Sequence, residues 1–344
     1  MNKKYNKVYI YVPEKTARSY GVRVIVDRVK EMYDDVSVTE KLAEIPLDAI
    51  VLPYGLLASV SLIREGKHKL GMALLVDAYT LGLKTEFYSL YNKRYVPNKT
   101  LLTHALRYFK YFVYEYLILK HYQKIMLVSW RDKKYYQENI FTKKYAEKIE
   151  IIQNGIVLDD TRKDYSIENR EKFVIGCLNS WGDLTYYTVI LFLEEVWSKA
   201  YNTSMQLVFA GRGLTSERTA ILNQYPGVKV IGEVDKLDDF YDNIDVSLIT
   251  MIKECGIINR VLDGFAFKVP VLTRPQSLLA FKDFPNCCYQ YTDADSFMKA
   301  VNEIRNNRES AKIKTEKAYQ FVKDRHDWTT NYKKLKDIIE EINN

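Results

Sequence analysis

Short apolar runs recur along the chain, each separated from the next by enough residues for a helix. In the first half they fall at residues 7–12, 49–52, 72–76, 125–128 and 149–152. Helical spacing of apolar positions is clearest between them at 18–32, 101–123 and 132–138. In the second half the runs are 173–177, 206–210, 228–231, 246–249, 269–273 and 288–291, with helical stretches at 186–201, 215–225, 237–243, 257–267 and 294–305. Strands alternating with helices at this spacing predict parallel sheets assembled from βαβ units. The polar stretch 158–172, rich in Asp, Arg, Lys and Glu, reads as a linker between two such sheets.

A length of 344 residues suits two domains better than one core. Hydrophobic content of 47% and charged content of 28% are those of a globular chain. No apolar run is long enough to span a membrane, and the first seven residues lack the apolar centre of a signal peptide. Cys177, Cys255, Cys287 and Cys288 have neither metal-ligand spacing nor a disulfide framework, which points to a reducing compartment. The four histidines show no ligand spacing either, so no metal is expected. The net charge of +7 is concentrated: seven basic residues lie between Lys93 and Lys124, opposed only by Glu115. No nucleic-acid motif accompanies them.

The segment Gly256-Ile-Ile-Asn-Arg-Val-Leu-Asp-Gly-Phe-Ala-Phe-Lys-Val-Pro-Val-Leu-Thr273 carries the chemistry. Its helix opens just after a glycine, so the first amides and the dipole favour an anion at Gly256, Ile257 and Ile258. Arg260 and Asp263 are spaced i,i+3 and share a face. Arginine there can add charge to a diphosphate, and the carboxylate can accept from sugar hydroxyls. The same pair also fits a surface ion pair. Asp77 follows an apolar run at a strand end; it either puts a carboxylate on a cleft rim or caps the next segment. Arg212 lies between two glycines, where backbone can approach a ligand closely.

Taken in order, several segments resemble the nucleotide-sugar glycosyltransferases of the GT-B fold, closest to glycosyltransferase family 4. Ile151-Ile-Gln-Asn-Gly-Ile156 is similar to that family's Asn-Gly turn at the domain junction. Phe209-Ala-Gly-Arg-Gly213 resembles the glycine turn of its donor domain, and Val230-Ile-Gly-Glu-Val234 the stretch around its nucleobase pocket. The 256–273 segment resembles its Gly-x-x-x-Lys-x-x-Glu helix, with Arg260 and Asp263 as substitutes. Ile125-Met-Leu-Val-Ser-Trp130 resembles a strand ending in serine, and His326-Asp-Trp328 the aromatic signal where the chain returns to the first domain. Tyr20-Gly21 is similar to the family's glycine-bearing loop. Three features depart from the pattern. Asp263 stands for a glutamate, the basic pair after the first donor-domain strand is replaced by Gly176-Cys-Leu-Asn-Ser-Trp-Gly182, and Glu254 is nine positions from Asp263 rather than eight.

The resemblance implies an α/β chain of GT-B class, with two doubly wound Rossmann-like domains facing across a cleft. Residues 1–157 would be the acceptor-side domain, 158–172 the linker, 173–324 the donor domain, and 325–344 a helix packing back on the first domain. It implies a transferase of the hexosyltransferase type, using a nucleoside-diphosphate sugar and no cofactor. The acceptor would be a glycan or lipid-linked glycan in bacterial surface polysaccharide synthesis, with anomeric retention. Two other readings share the fold: a non-catalytic subunit supporting a partner transferase, and a nucleotide-sugar epimerase. The catalytic candidates are Arg260, Asp77 and Glu254. Donor-binding candidates are Gly21, Asn179, Arg212, Gly232, Val234, Lys253, Gly256, Ile257, Ile258 and Asp263. The helix at 101–123 mixes the basic cluster with Tyr108, Phe109, Tyr111, Phe112, Tyr114, Tyr116 and, at its end, Tyr122. It reads either as a core helix with a solvated basic side or as a contact for anionic lipid through residues 101–124. The second reading places a cytoplasmic chain peripherally on the inner face of the plasma membrane.

Overall fold

The computed structural model describes residues 7–13, 20–91, 98–162, 164–165 and 171–343. The first half runs β1 (Val8–Tyr11), α1 (Tyr20–Met32), β2 (Val36–Thr39), β3 (Ile50–Pro53), α2 (Gly55–Glu65) and β4 (Met72–Val76). It continues through α3 (Tyr79–Tyr91), α4 (Asn98–His121), β5 (Lys124–Leu127), α5 (Trp130–Glu138) and β6 (Ile149–Ile151). All pairings are parallel, in the orders β2-β1-β3 and β4-β5-β6, and a bridge from Tyr54 to Leu74 joins the two groups.

The second half opens with β7 (Phe173–Leu178) and α6 (Asp183–Phe192), which passes through a π turn at Leu193–Trp197 into α7 (Ser198–Ala200). Then come β8 (Met205–Ala210), α8 (Ser216–Leu222), β9 (Val228–Gly232), α9 (Leu237–Tyr241), β10 (Val246–Ile249) and α10 (Asn259–Ala266). The chain ends with β11 (Val271–Thr273), β12 (Tyr289–Gln290), α11 (Ala294–Asn306), α12 (Arg308–Arg325) and α13 (Trp328–Asn343). The sheet order is β12-β11-β10-β7-β8-β9, again parallel. This is the doubly wound order in which the winding reverses between the first and fourth strands. A ligand cleft therefore opens beyond the carboxyl ends of β7 and β10. Every residue of β10 is buried and β7 nearly so, as both faces of a parallel sheet must be.

Apolar periodicity predicts most of these elements within a few residues. It misses β2, α2, α3 and α12 for different reasons. The edge strand β2 is half exposed and mixes Ser and Thr with Val. Helix α2 is buried at six of its positions and has no polar stripe to mark a period. Helix α3 carries Gly82, Thr80 and Thr85 in mid-course, and α12 buries only six of 18 residues.

The last helix belongs to the first domain's core. Tyr332, Leu335, Ile338 and Ile339 of α13 cluster with Val8, Ile10, Leu52 and Met126. The crossing is pinned where His326-Asp-Trp328 meets Asn154-Gly155. His326 Nδ1 lies 2.7 Å from the Asn154 carbonyl, and Ile156 N–H donates to the His326 carbonyl at 2.9 Å. In the linker, Arg162 ties Asp238 and Asp242 together and lies 4.0 Å over the Phe267 ring. Among the described residues no helix is long and apolar enough to cross a membrane.

Gly155 has no room for a side chain: an added Cβ would sit 2.5 Å from the Trp328 ring and 2.9 Å from the His326 carbonyl. Gly155→Ala should destabilise the fold by roughly 1–3 kcal/mol through overpacking, read as a lower denaturation midpoint. An unchanged midpoint would show that the crossing is loosely packed.

Candidate active site

The cleft is built from the loops that leave β10 and β7 in the second domain and β4 and β5 in the first. Strand β10 exits into residues 250–258, and α10 follows. Val261, Leu262, Phe265 and Ala266 bury one side of α10, leaving Asn259, Arg260 and Asp263 partly exposed on the other. The N-cap residue is Ile258, whose side chain cannot accept a hydrogen bond, and there is no acid in the first turn. The positive end of the helix dipole is thus uncompensated by its own sequence.

Arg260 projects toward the end of β7. Its charge opposes the effect of burial on Cys177 and on Asp263, and is felt at Tyr241. Among the described residues no carboxylate forms an ion pair with it. Burial pushes Asp263 up to about 7 against the pull of Arg260. Asp263 lines a cavity of ≈ 440 Å³ with Asn259, Lys236, Leu237, Asn154 and Trp328. Asn179 is buried just past β7, its amide 3.2 Å from Cys177 Sγ. Gly211, at φ 115°, passes so close to Asn179 that an added Cβ would lie 1.9 Å from its carbonyl oxygen.

On the facing side, β4 ends abruptly. Val76 has φ 74°, and Asp77 N–H donates to the Leu75 carbonyl at 3.0 Å, a γ-turn in its rarer, strained form. A β-branched residue is a true outlier there. The turn coincides with a register shift between β4 and β5 and directs Asp77 across the cleft, where Lys253 Nζ meets it at 3.0 Å. After β5, Ser129 caps α5 by accepting from the Arg131 and Asp132 amides. Arg131 then pairs with Glu254 at 2.9 Å. Asp132, fully buried, accepts from Ala78 N–H at 3.2 Å and from Gly256 N–H at 3.1 Å. Burial, reinforced by the charge of Asp77, holds Asp132 well above the usual carboxylate range. Burial alone would push Lys253 down, but Asp77, Cys255 and Glu86 carry it well above its ordinary value.

The structure therefore sorts the residues singled out in the sequence. Arg260, Asp263, Ile258 and Asn179 lie at the carboxyl edge of the second sheet. Ile257 packs between the cores of both domains. Lys253, Glu254 and Gly256 form a loop that docks on the first domain. Three of the candidates have partners within the protein. The Gly256 amide donates to Asp132. Glu254 is engaged by Arg131 rather than open to a sugar, and Lys253 neutralises Asp77 rather than a diphosphate. Arg212 is 77% exposed and pairs with Glu233. Gly232 shapes the turn beside it at φ 81° and accepts from Gly211 N–H at 2.7 Å, while Val234 packs on the Phe240 cluster. Gly21 lies in the first turn of α1. Arg131, Asp132 and Glu86 were not singled out; only the serine cap before α5 hinted that an acid would be fixed there. No group of three His, Cys, Asp or Glu among the described residues is placed to hold a metal ion.

Residues 173–307 match the family model described as glycosyl transferases group 1. The match lies wholly within the second domain. Solved structures align along the whole chain. An Anabaena protein, HepE, in complex with UDP and glucose, is 10% identical over 98% of this chain and 100% of its own, with a TM-score of 0.61. A glycosyltransferase from Rickettsia africae is 15% identical over 99% of both chains, with a TM-score of 0.60. The sucrose-phosphate synthase of Thermosynechococcus elongatus is 15% identical over 96% of this chain and 80% of its own, with a TM-score of 0.63. At these identities the likeness is one of fold, and the fold is GT-B. None of the curated proteins searched matches this chain.

Asp263 holds its proton more tightly in the folded chain than in the unfolded one. It therefore stabilises the fold below the ordinary Asp range and loses that contribution as pH rises through about 7. Asp263→Asn should gain stability relative to the parent across that window, by about 1 kcal/mol after allowance for partial exposure. Urea melts at acid, intermediate and mildly alkaline pH would show it. A pH-independent difference would mean that the carboxyl is solvated.

Proposed function

We propose that the protein is a glycosyltransferase that moves a sugar from a UDP-sugar to a glycan or lipid-linked glycan acceptor, with retention, in the assembly of a bacterial surface polysaccharide. The observation that carries the donor side is Arg260, a half-buried cation without an ion-pair partner among the described residues, on the uncapped first turn of α10. The leaving group of the reaction is a diphosphate, and its developing charge is best met by a pre-aimed cation and helix amides. Arg260 and the first-turn amides supply both. The choice of UDP draws on HepE, whose structures hold UDP and UDP-glucose.

In this reading Asp263 accepts a ribose hydroxyl within its cavity, and Asn179 borders the diphosphate near the end of β7. The second carboxylate, Asp77, stands where the acceptor hydroxyl arrives. Held by Lys253, it orients that hydroxyl rather than attacking the sugar. Glu86, half-buried near Lys253 and Arg107 and raised by burial, adds acidity to the same wall. The carbon–oxygen bond to the diphosphate breaks as the bond to the acceptor oxygen forms on the same face, and the acceptor's hydroxyl proton passes to the departing diphosphate oxygen.

Arg260→Ala should lower turnover of a UDP-sugar by about 10²–10³-fold, the usual loss of one transition-state donor. UDP should raise the melting temperature of the parent protein. Turnover near that of the parent would remove Arg260 from the reaction. Failure of UDP to shift the melt would point to another nucleotide or to a chain that binds none.

A further inference from the structure

A second cavity, of ≈ 480 Å³, opens where α4 of the first domain faces α6 of the second. Thr103 and Arg107 reach it from α4, and Asp183, Thr185 and Tyr187 from the opening turns of α6. The two α4 residues are spaced i,i+4 and share one face of the helix. Both are exposed, whereas Glu115, Ile118 and Leu119 turn into the first-domain core. His104, buried on the same helix, lines this cavity and also an adjoining one of ≈ 250 Å³, walled by Leu83, Phe87 and Tyr108. A polar compartment thus continues into an apolar one, the usual make-up of a ligand site.

The ion pairs around the polar compartment leave it electropositive. Asp183 is the only acid among its described lining residues, and Arg218 takes that carboxylate at 2.5 Å. Arg107 has no such partner: among the described residues no carboxylate forms an ion pair with it. Glu86 of α3 is near enough to feel its charge, but burial raises Glu86 toward the neutral form. A cation on the wall of a cavity attracts anions more strongly than one on open surface, because the walls focus its field. The planar fork of an arginine matches a carboxylate or a phosphate edge.

The cavity also lies along the wall that leads away from the acceptor-side carboxylate. Asp77 stands just before α3, and Glu86 is about 10 Å from the start of that helix. Glu86 feels Asp77 and Lys253 as well as Arg107, so the three share one wall of the cleft. A molecule held at Arg107 has its next few atoms directed toward Asp77.

We propose that this cavity is an anion subsite for the acceptor, and that the acceptor is an acidic sugar whose carboxylate or phosphate ester is held by Arg107. Thr103 and Thr185 border the same anion, and Phe87 and Tyr108 offer the sugar an apolar wall. The inference rests on the glycosyl transfer proposed above, and it is tested by binding, without turnover.

The experiment is titration of the full chain, with and without UDP, by glucuronic acid, glucose 6-phosphate, glucose and inorganic phosphate, followed by ligand-observed NMR. At least one of the two acidic sugars should bind about tenfold or more tighter than glucose, as one charge-assisted hydrogen bond provides. Which of them does so tells a carboxylate from a phosphate ester. Arg107→Ala should abolish the preference and Arg107→Lys keep part of it. Arg107 is exposed and unpaired, so the thermal midpoint of Arg107→Ala and its response to UDP should match the parent's. Binding of an acidic sugar through Arg107 in a chain that ignores UDP would uphold the subsite and remove only the donor reading. No preference over glucose, or a preference that survives in Arg107→Ala, would overturn the proposal. Inorganic phosphate binding as tightly as the acidic sugars would overturn it too, assigning the cavity to a free anion.

Discussion

Asp132 accepts one amide from each side of the cleft, Ala78 from its own domain and Gly256 from the other. A buried carboxylate is costly unless its oxygens are satisfied, so this one fixes where the loop of the second domain must lie. Lys253 and Glu254 are then carried to Asp77 and Arg131. Removing the Asp132 oxygens would leave two buried amides unpaired, each costing about 1–3 kcal/mol. With the packing of α13 on the first domain, this contact holds the loop of the second domain against the cleft.

Much of the architecture is legible without coordinates because parallel strands are buried on both faces and read as unbroken apolar runs. The doubly wound character of the second domain follows from the same pattern, and the return of the last helix from the family resemblance of His326-Asp-Trp328. What periodicity cannot show is an element that is buried throughout, as α2 is, or a half-exposed edge strand such as β2. The site was legible in part. Residues held on a regular element, Arg260 and Asp263, stay where helical spacing puts them. Residues on loops do not follow from spacing, because Lys253, Glu254 and Arg212 each find a counter-charge far away in sequence. Arg131 pairs with Glu254 across 123 positions, a separation at which local pattern carries no information.

The two faces of α4 show a similar limit. Sequence shows that the helix is apolar nearly all round and basic, but not which apolar residues the core takes. Packing against α2 and α3 claims Glu115, Ile118 and Leu119, and leaves Leu102, Leu106 and Phe109 exposed. Composition alone puts the tyrosines on the outer side, whereas Tyr111 and Tyr114 pack on the core and Tyr122 is fully buried. Lys93 and Arg94 of the basic cluster lie outside the described residues, as does the side chain of Lys99.

The γ-turn at Val76 has a mechanical meaning beyond the direction in which it sends Asp77. A residue held in such a conformation stores about 1–3 kcal/mol, similar in size to a modest ion pair or hydrogen bond. The contact between Asp77 and Lys253 is what the stored strain pulls against. The strained end of β4 and the loop of the second domain that answers it are therefore matched in energy as well as in charge.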